Sequence, residues 1–100
     1  MAFQIDWTDA AIADLGEIVS FISRDDPVAA QQVGEDILHS VELLQDFPHL
    51  GPTFPRRGKT NVREIVARRA YRIFYRVLEE ESLVEVLRVW HTSRDEPPLT

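Results

Sequence analysis

The sequence contains no cysteine, so neither a disulfide framework nor thiolate ligation of a metal is available to it. No apolar run approaches the roughly 18 residues that a membrane helix needs, and residues 1–6 lack the basic start and apolar core of a signal peptide. Three scattered histidines make a poor metal site. Phosphate-binding loops, dinucleotide turns and nucleophile elbows are also missing. We therefore expect a cytoplasmic protein that uses no metal and no cofactor.

The size and composition indicate one ordinary globular domain. The chain has 100 residues, of which 44% are apolar, which is enough to build a single core and too apolar for a disordered segment. No repeat or linker divides it. We expect one domain over residues 1–100, with its core at about 2–92 and an irregular tail at 93–100.

Charge is distributed unevenly along the chain. The formal net charge of −6 combines −9 over residues 1–50 with +3 over residues 51–100. The span from Arg56 to Arg76 contains eight basic residues and only one acidic residue, Glu64. The acidic total argues against general affinity for nucleic acids, whereas the basic stretch can still bind an acidic partner.

The first half of the sequence predicts a short strand and two helices. Residues 2–7 alternate loosely, and Thr8 is a good N-cap for the helix that follows. Asp26-Pro27 begins a second helix, since proline is tolerated at the first helical position, and this helix runs to about Gln45. Only about three residues separate the two helices, which predicts an antiparallel hairpin. The first helix has apolar residues at spacings of three and four, namely Ala11, Ile12, Leu15, Ile18, Val19 and Ile22.

The second half predicts three strands after a proline-rich loop at 47–55. They are Val62–Ala67, Tyr71–Leu78 and Leu83–Trp90, rich in β-branched and aromatic residues. The last two should form a hairpin across residues 79–82. The predicted fold is therefore α+β in the order β-α-α-β-β-β, with the helical hairpin packed on an antiparallel sheet.

Strand alternation predicts a row of arginines on one face of the strand 71–78. Tyr71, Ile73, Tyr75 and Val77 would face the core, and the opposite face would carry Arg72, Phe74, Arg76 and Leu78. An Arg-aromatic-Arg row can bind phosphate, carboxylate or a stacked base, and we expect Arg63 of the preceding strand to join it. The alternative is a solvated sheet face whose arginine stems cover apolar neighbours.

His91 is the candidate acid or base, because imidazole titrates near neutral pH. It follows the last strand and lies three residues before Arg94. The alternative is a histidine at a strand end that only hydrogen-bonds the adjoining loop.

An ordered set of short motifs resembles the ParE/RelE toxins of type II toxin–antitoxin systems, closer to ParE, over about residues 5–95. These motifs are Trp7-Thr8-x-x-Ala11-x-x-Asp14-Leu15, Phe21-Ile22, Asp26-Pro27-x-Ala29-Ala30, Leu44-x-x-Phe47-Pro48-x-x-Gly51, Val62-Arg63-Glu64, Tyr71-Arg72-Ile73-Phe74-Tyr75-Arg76 and Val89-Trp90-His91-x-x-Arg94. The resemblance implies a compact toxin that is neutralised by a cognate antitoxin. ParE-like members inhibit DNA gyrase, whereas RelE-like members cut mRNA on the ribosome.

The motifs depart from the nuclease pattern. Arg72 matches a catalytic arginine position of RelE-like enzymes and Arg63 a basic position, but Ile65 stands where a second lysine is expected, and no tyrosine follows Tyr75. We therefore expect a gyrase inhibitor. The alternatives are a ribosome-dependent mRNA endoribonuclease using Arg72, His91 and Arg63, and a degenerate, non-toxic antitoxin-binding module.

In every case we expect the antitoxin to contact a hydrophobic groove beside the helical hairpin and to neutralise the arginine row. The residues expected to bind the target or the antitoxin are Arg63, Arg69, Arg72, Phe74, Arg76, Trp90, His91 and Arg94.

Overall fold

A computed structural model describes residues 2–53, 61–94 and 98. Within these ranges two helices and four strands follow in the predicted order: β1 (Gln4–Trp7), α1 (Asp9–Ser23), α2 (Pro27–Glu42), β2 (Val62–Ala67), β3 (Tyr71–Leu78) and β4 (Leu83–His91). Short 3₁₀ turns follow α2 at Leu43–Gln45 and β3 at Glu79–Glu81. The α+β fold predicted from the sequence is confirmed. Within the described ranges no helix is long and apolar enough to cross a membrane.

The four strands form one sheet in the order β1-β4-β3-β2. β2, β3 and β4 pair antiparallel as predicted, while β1 adds to the edge of β4 in parallel. The connection between these parallel neighbours runs through both helices and then through β2 and β3, which is longer than the dozen or so residues that a parallel pairing requires. β1 pairs only with residues 83–86, so the rest of β4 continues beyond the end of that strand.

Both predicted helix caps are present. The Thr8 hydroxyl accepts the N–H of Ala11 at 3.1 Å, and the Asp26 carboxylate accepts the N–H of Ala29 at 3.0 Å, with Pro27 beginning α2. These side chains satisfy amides that the first helical turn leaves without partners. Along α1 the residues of the apolar stripe that pack into the core are Ala11, Leu15, Ile18 and Ile22. Val19 lies beside Gly34 of α2, and Ile12 is 57% exposed at the margin of the stripe.

The main core lies between the helices and one face of the sheet. Buried residues from every layer meet there, among them Ala11, Val33, Ile37, Val41, Ile73, Val86 and Val89. Leu44, Tyr75 and Val84 form a second buried cluster, with Ile65 packed against both clusters. The prediction that Ile73 and Tyr75 face the core is confirmed.

The opposite face of the sheet has a small core of its own. Phe74 and Val62 are buried there, with Leu87 and Trp90 packed against them. Phe74 has no exposed surface. Its ring packs beneath its neighbours and offers no contact area to a partner. The sequence predicted that the ring of Phe74 would be accessible between the arginines of the row. In the structure this ring is buried.

A β-bulge in β4 explains how Trp90 reaches this face. Tyr75 pairs with Val86 and Phe74 with Arg88, so Leu87 is an extra residue in β4. Simple alternation from Val86 would place Trp90 on the core side and Val89 on the outer side. The bulge inverts the alternation, so that Val89 is buried under the helices while Trp90 packs near Phe74.

Candidate functional site

Asp14 anchors α1 to the part of β4 that extends beyond β1. Its carboxylate accepts Nε of Arg88 at 2.7 Å, Nη2 of Arg88 at 2.8 Å and the backbone N–H of Val89 at 3.1 Å. The side chains of Arg88 and Asp14 are only 18% and 11% exposed. This bond raises the pKa of Arg88. A bidentate, largely buried pair of this kind fixes geometry as well as adding stability.

The bulge itself is fixed by Thr8. The Thr8 hydroxyl donates to the carbonyl of Leu87 at 3.0 Å while accepting the N–H of Ala11, and the Thr8 backbone N–H donates to Val86 at 3.1 Å. One threonine therefore caps α1 and ties the helix to the irregular segment of β4. Together with Asp14 it sets where the last residues of β4 lie.

Two arginine side chains pack against the indole ring of Trp90 at the end of β4. The guanidinium of Arg94 lies 4.0 Å from its ring centroid, and that of Arg88 lies 5.0 Å away. Both contacts are within the range of favourable cation–π interactions. The indole Nε1 of Trp90 is buried and meets no acceptor among the described residues.

His91 is exposed and hydrogen-bonds the segment that follows it. Its Nδ1 accepts the backbone N–H of Ser93 at 3.1 Å and lies 2.7 Å from the Ser93 hydroxyl. An amide N–H can only donate, so Nδ1 is the acceptor and, in neutral His91, the proton lies on Nε2. The ring also meets Tyr71 edge to face at 5.4 Å. The alternative of a histidine that hydrogen-bonds the loop is thus present in the structure, and the exposed nitrogen is a donor rather than a base.

The arginines of β3 have partners within the sheet. Arg72 pairs with Glu64 and its guanidinium lies 4.8 Å from the ring centroid of Phe74. Arg76 pairs with Glu85 at 2.6 Å, the residue directly opposite it on β4. Carboxylates on both neighbouring strands therefore neutralise much of the positive charge predicted for this face.

The prediction that Arg63 joins the arginine row is wrong. Arg63 pairs with Tyr75 across β2 and β3, whereas Arg72 pairs with Val66, and alternate residues of a strand point to opposite faces. Arg63 is therefore on the helix side, where its Nη1 donates to the carbonyl of Gly51 at 2.7 Å. It holds a loop in place rather than extending the row.

Gly51 allows that loop to pack closely on β2. A Cβ at this position would lie 2.4 Å from the carbonyl oxygen of Glu64, closer than real contacts occur. The Gly51 N–H donates to the hydroxyl of Tyr75 at 2.9 Å. Burial raises the pKa of that phenol, while the bond to Gly51 and the charge of Arg63 oppose the rise.

Arg68 and Arg69 form the tip of the β2–β3 hairpin with positive φ values of 55° and 58°. Hairpin turns of this shape normally use asparagine and glycine, and a side chain in this region costs about 1 kcal/mol. Arg68 pairs with Asp36 of α2. Arg69 is exposed, and no carboxylate among the described residues pairs with it.

A groove lies between the outer face of α1 and the end of β4 and encloses about 930 Å³. Its lining includes Gly16, Phe21 and Arg24 from α1 and its C-cap, and Tyr71, Trp90 and Arg94 from the sheet side. Phe21 is 68% exposed. Gly16 is in the middle of α1, where glycine costs about 1 kcal/mol relative to alanine, yet a Cβ there would have no atom within 4 Å.

The structure thus divides the predicted site residues among three places. Trp90, His91 and Arg94 line the groove, with Arg69 in the adjoining turn, since the N–H of Thr92 donates to Ala70 at 2.8 Å. Arg72, Phe74 and Arg76 lie on the outer face of the sheet, where Trp90 also packs against Phe74. Arg63 lies beside the 49–51 loop.

Sequence reasoning missed the groove wall on α1 and the Asp14–Arg88 pair. The available signals were small residues and an aromatic residue on the polar side of α1, at Ala13, Gly16, Ser20 and Phe21. No local pattern pairs Asp14 with a residue 74 positions later.

Comparison with known proteins identifies the family. The model of the ParE toxin of type II toxin–antitoxin systems, parDE, matches residues 5–96. The chain belongs to the ParE toxin family.

Individual relatives agree with this assignment. The chain is 32% identical to Toxin RelE2 of Caulobacter vibrioides over 91 residues, which are 91% of this chain and 97% of that protein. Among solved structures it resembles a chain of the chromosomal ParDE system from P. aeruginosa, with a TM-score of 0.75 and 25% identity over 90% of this chain and 96% of the other. A chain of the RelBE2 complex from Mycobacterium tuberculosis shares the fold, with a TM-score of 0.66 and 23% identity over 91% and 99% of the two chains.

Proposed function

We propose that this ParE-family toxin acts by binding and inhibiting DNA gyrase, and that a cognate antitoxin neutralises it. The observation that carries the proposal is the separation of the three residues that RNA cleavage would need. Arg72 points to the outer face of the sheet, whereas Arg63 and His91 pair with Tyr75 and Tyr71 on the helix side.

RNA cleavage requires a base, an acid and a cation around one phosphate. Arg63 and His91 share a face, but their partner positions on β3 are four residues apart, about 13 Å along a strand. Arg72 is on the other side of the sheet and pairs with Glu64. These positions do not converge on a single phosphate.

The state of His91 supports the same conclusion. Its Nδ1 accepts hydrogen bonds from Ser93, so the nitrogen that remains accessible carries the proton and can only donate. Ile65, which occupies the position expected for a second lysine, packs against the core. Both observations favour a toxin that acts by binding over a nuclease that uses His91 as its base and residue 65 as a second cation.

The antitoxin is proposed as the partner because the solved relatives include a ParDE system and a RelBE2 toxin–antitoxin complex. A toxin that acts by binding can be silenced by covering its surface, with no need to block a reaction centre. The Trp90 end of the sheet and the groove beside it offer a contact surface for this.

The test uses purified protein against two targets. Increasing amounts of the chain are added to gyrase with relaxed plasmid, and in parallel to ribosomes stalled on a defined mRNA. We expect loss of supercoiling near one chain per gyrase subunit and intact mRNA. Cleavage of the mRNA by the parent chain but not by the Arg72→Ala variant, together with unchanged supercoiling, would contradict the proposal.

A further inference from the structure

Three large apolar side chains are exposed on the turn that follows α2. Leu43, Phe47 and Leu50 are 44%, 59% and 54% exposed, and we refer to them as the Phe47 surface. The Phe47 N–H donates to the carbonyl of Leu43 at 3.0 Å, and the Leu50 N–H donates to that of Phe47 at 3.0 Å. Spacings of four and three in a helix-like turn keep the three side chains on one side. An exposed apolar patch of this kind indicates an interaction site.

The loop that continues from the Phe47 surface is held firmly in place. The N–H of Gly51 donates to the Tyr75 hydroxyl at 2.9 Å, and the Gly51 carbonyl accepts Nη1 of Arg63 at 2.7 Å. On the exposed side of the loop, His49 pairs with Glu79. The apolar side chains are therefore displayed by a fixed backbone, and a partner would not have to order this loop when it binds.

Acidic residues form the rim of the Phe47 surface. Glu42 and Asp46 are exposed beside it in the chain. The ion pair of His49 brings the 3₁₀ turn Glu79–Glu81, which is three consecutive acids, against the same loop. Arg63 contributes one positive charge on the inner side of the loop, where it already binds Gly51, so the rim remains acidic. An acidic rim attracts cationic side chains and repels anions.

We propose that the Phe47 surface binds a basic, amphipathic segment of a protein partner. Apolar side chains of that segment would pack on Phe47 and its two neighbours, and flanking lysines or arginines would pair with the acidic rim. A helix with one apolar face and basic residues on its margins has this chemistry. The inference goes beyond the proposed function and does not depend on it.

Charge distinguishes among the possible occupants of the Phe47 surface. A nucleic acid or an anionic membrane would bring negative charge against the acidic rim. Two copies of this chain joined symmetrically through the same surface would bring their two acidic rims together, which is unfavourable. A basic segment of a different protein is therefore the occupant that the surface favours.

The Phe47 surface and the groove lie at opposite ends of the sheet. β4 begins at Leu83, directly after the turn Glu79–Glu81 and Ser82, and ends at His91, which lines the groove. A strand of 9 residues spans about 26 Å between its ends. A partner on the Phe47 surface therefore leaves the groove accessible, and the two surfaces can be occupied at the same time.

The test uses a fluorescein-labelled peptide of about 14 leucines and lysines, with the leucines at helical spacing, and a scrambled isomer of the same composition as its control. Fluorescence anisotropy with the full chain gives the Kd of each peptide. We expect the amphipathic peptide to bind at least about tenfold more tightly than its isomer. Phe47→Ser and Leu50→Ser should each weaken binding about tenfold, because each removes an apolar side chain from the contact, while circular dichroism shows an unchanged fold.

Matched variants separate the site from the charge and apolar surface of the whole chain. Glu80→Lys should weaken binding about fivefold. Asp25→Lys changes the net charge equally, but it lies just before α2, a helix about 24 Å long, and should leave Kd within about twofold. Val28→Ser removes a side chain that is 66% exposed at the same far end of α2, and it should likewise leave Kd within about twofold.

Three results would overturn the inference: equal Kd values for the amphipathic peptide and its isomer, a Kd that is insensitive to both Phe47→Ser and Leu50→Ser, or equal effects of Glu80→Lys and Asp25→Lys. A concentration-dependent dimer of the parent chain in sedimentation velocity, abolished by Phe47→Ser, would assign the surface to a second copy instead. Neither gyrase nor ribosomes enter this experiment, so its failure is distinguishable from failure of the proposed function.

Discussion

Arg63 and Arg72 lie on opposite faces of the sheet although their strands, β2 and β3, are paired neighbours. Arg63 donates to Gly51 on the helix side, and Arg72 pairs with Glu64 on the outer side. Each therefore has a separate structural task. A phosphate bound by one of these guanidinium groups is not within reach of the other.

The separation predicts that the two arginines act independently. In a double-mutant cycle of Arg63→Met and Arg72→Met, the free energies of unfolding should add to within about 0.5 kcal/mol, as for sites without shared partners. Urea denaturation of the four proteins measures this. A coupling energy above about 1 kcal/mol would show that the two side chains share an interaction.

Asp14→Asn should destabilise the fold by about 2 kcal/mol, because a largely buried Arg88 loses its charged partner. Asp25→Asn, an equivalent change at an exposed position between the helices, should cost under about 0.5 kcal/mol. Urea denaturation in a Trp7→Phe background, followed by Trp90 fluorescence, reports both stability and the environment of the indole without screening the ion pair. Equal stabilities for the two variants would contradict the anchoring role of Asp14.

Substitutions at Thr8 test how strongly the N-cap of α1 and the bulge of β4 depend on one hydroxyl group. Thr8→Val keeps the shape of the side chain but loses the bonds to Ala11 and Leu87, which should cost about 1–2 kcal/mol. Thr8→Ser retains the hydroxyl and should stay within about 0.5 kcal/mol of the parent chain. Thermal denaturation of the three proteins measures these differences in stability. Equal losses of stability in both variants would mean that the packing of the Thr8 methyl group contributes as much as its hydroxyl.

Tyr75 should make stability fall in alkali. Its folded pKa is raised by burial, so above the usual value of about 10 the unfolded chain loses this proton while the folded chain keeps it. The unfolded state then binds fewer protons, and the free energy of unfolding decreases as pH rises. Tyr75→Phe should flatten this dependence above about pH 10, although losing the Gly51 bond lowers stability at neutral pH. An unchanged slope in the variant would refute the assignment.

The sequence was sufficient for the elements and their order. Thr8 and Asp26 marked both helix starts through their hydrogen-bonding chemistry, and β3 begins and ends where its aromatic and β-branched residues do. Alternation also placed Ile73 and Tyr75 in the core. Each of these features depends on residues that are close together in the chain, so local patterns determine them.

The arrangement of the site depended on contacts that local patterns do not contain. The bulge at Leu87 reverses the alternation of β4, so the side taken by Trp90 could not be predicted from its position in the strand. Cross-strand pairing of Arg72 with Glu64 and of Arg76 with Glu85 depends on register, which is set by the whole sheet. Arg63 was assigned to the wrong face because its register with β3 was unknown.

The most direct test of the central claim is induction of this chain in cells without an antitoxin, with plasmid supercoiling and transcript integrity followed together from the same cultures. Inhibition of gyrase predicts relaxed or cleaved DNA while mRNA stays intact as growth stops. Cut mRNA with normal supercoiling would contradict the account and would require Arg72 and His91 to act in a conformation other than this one.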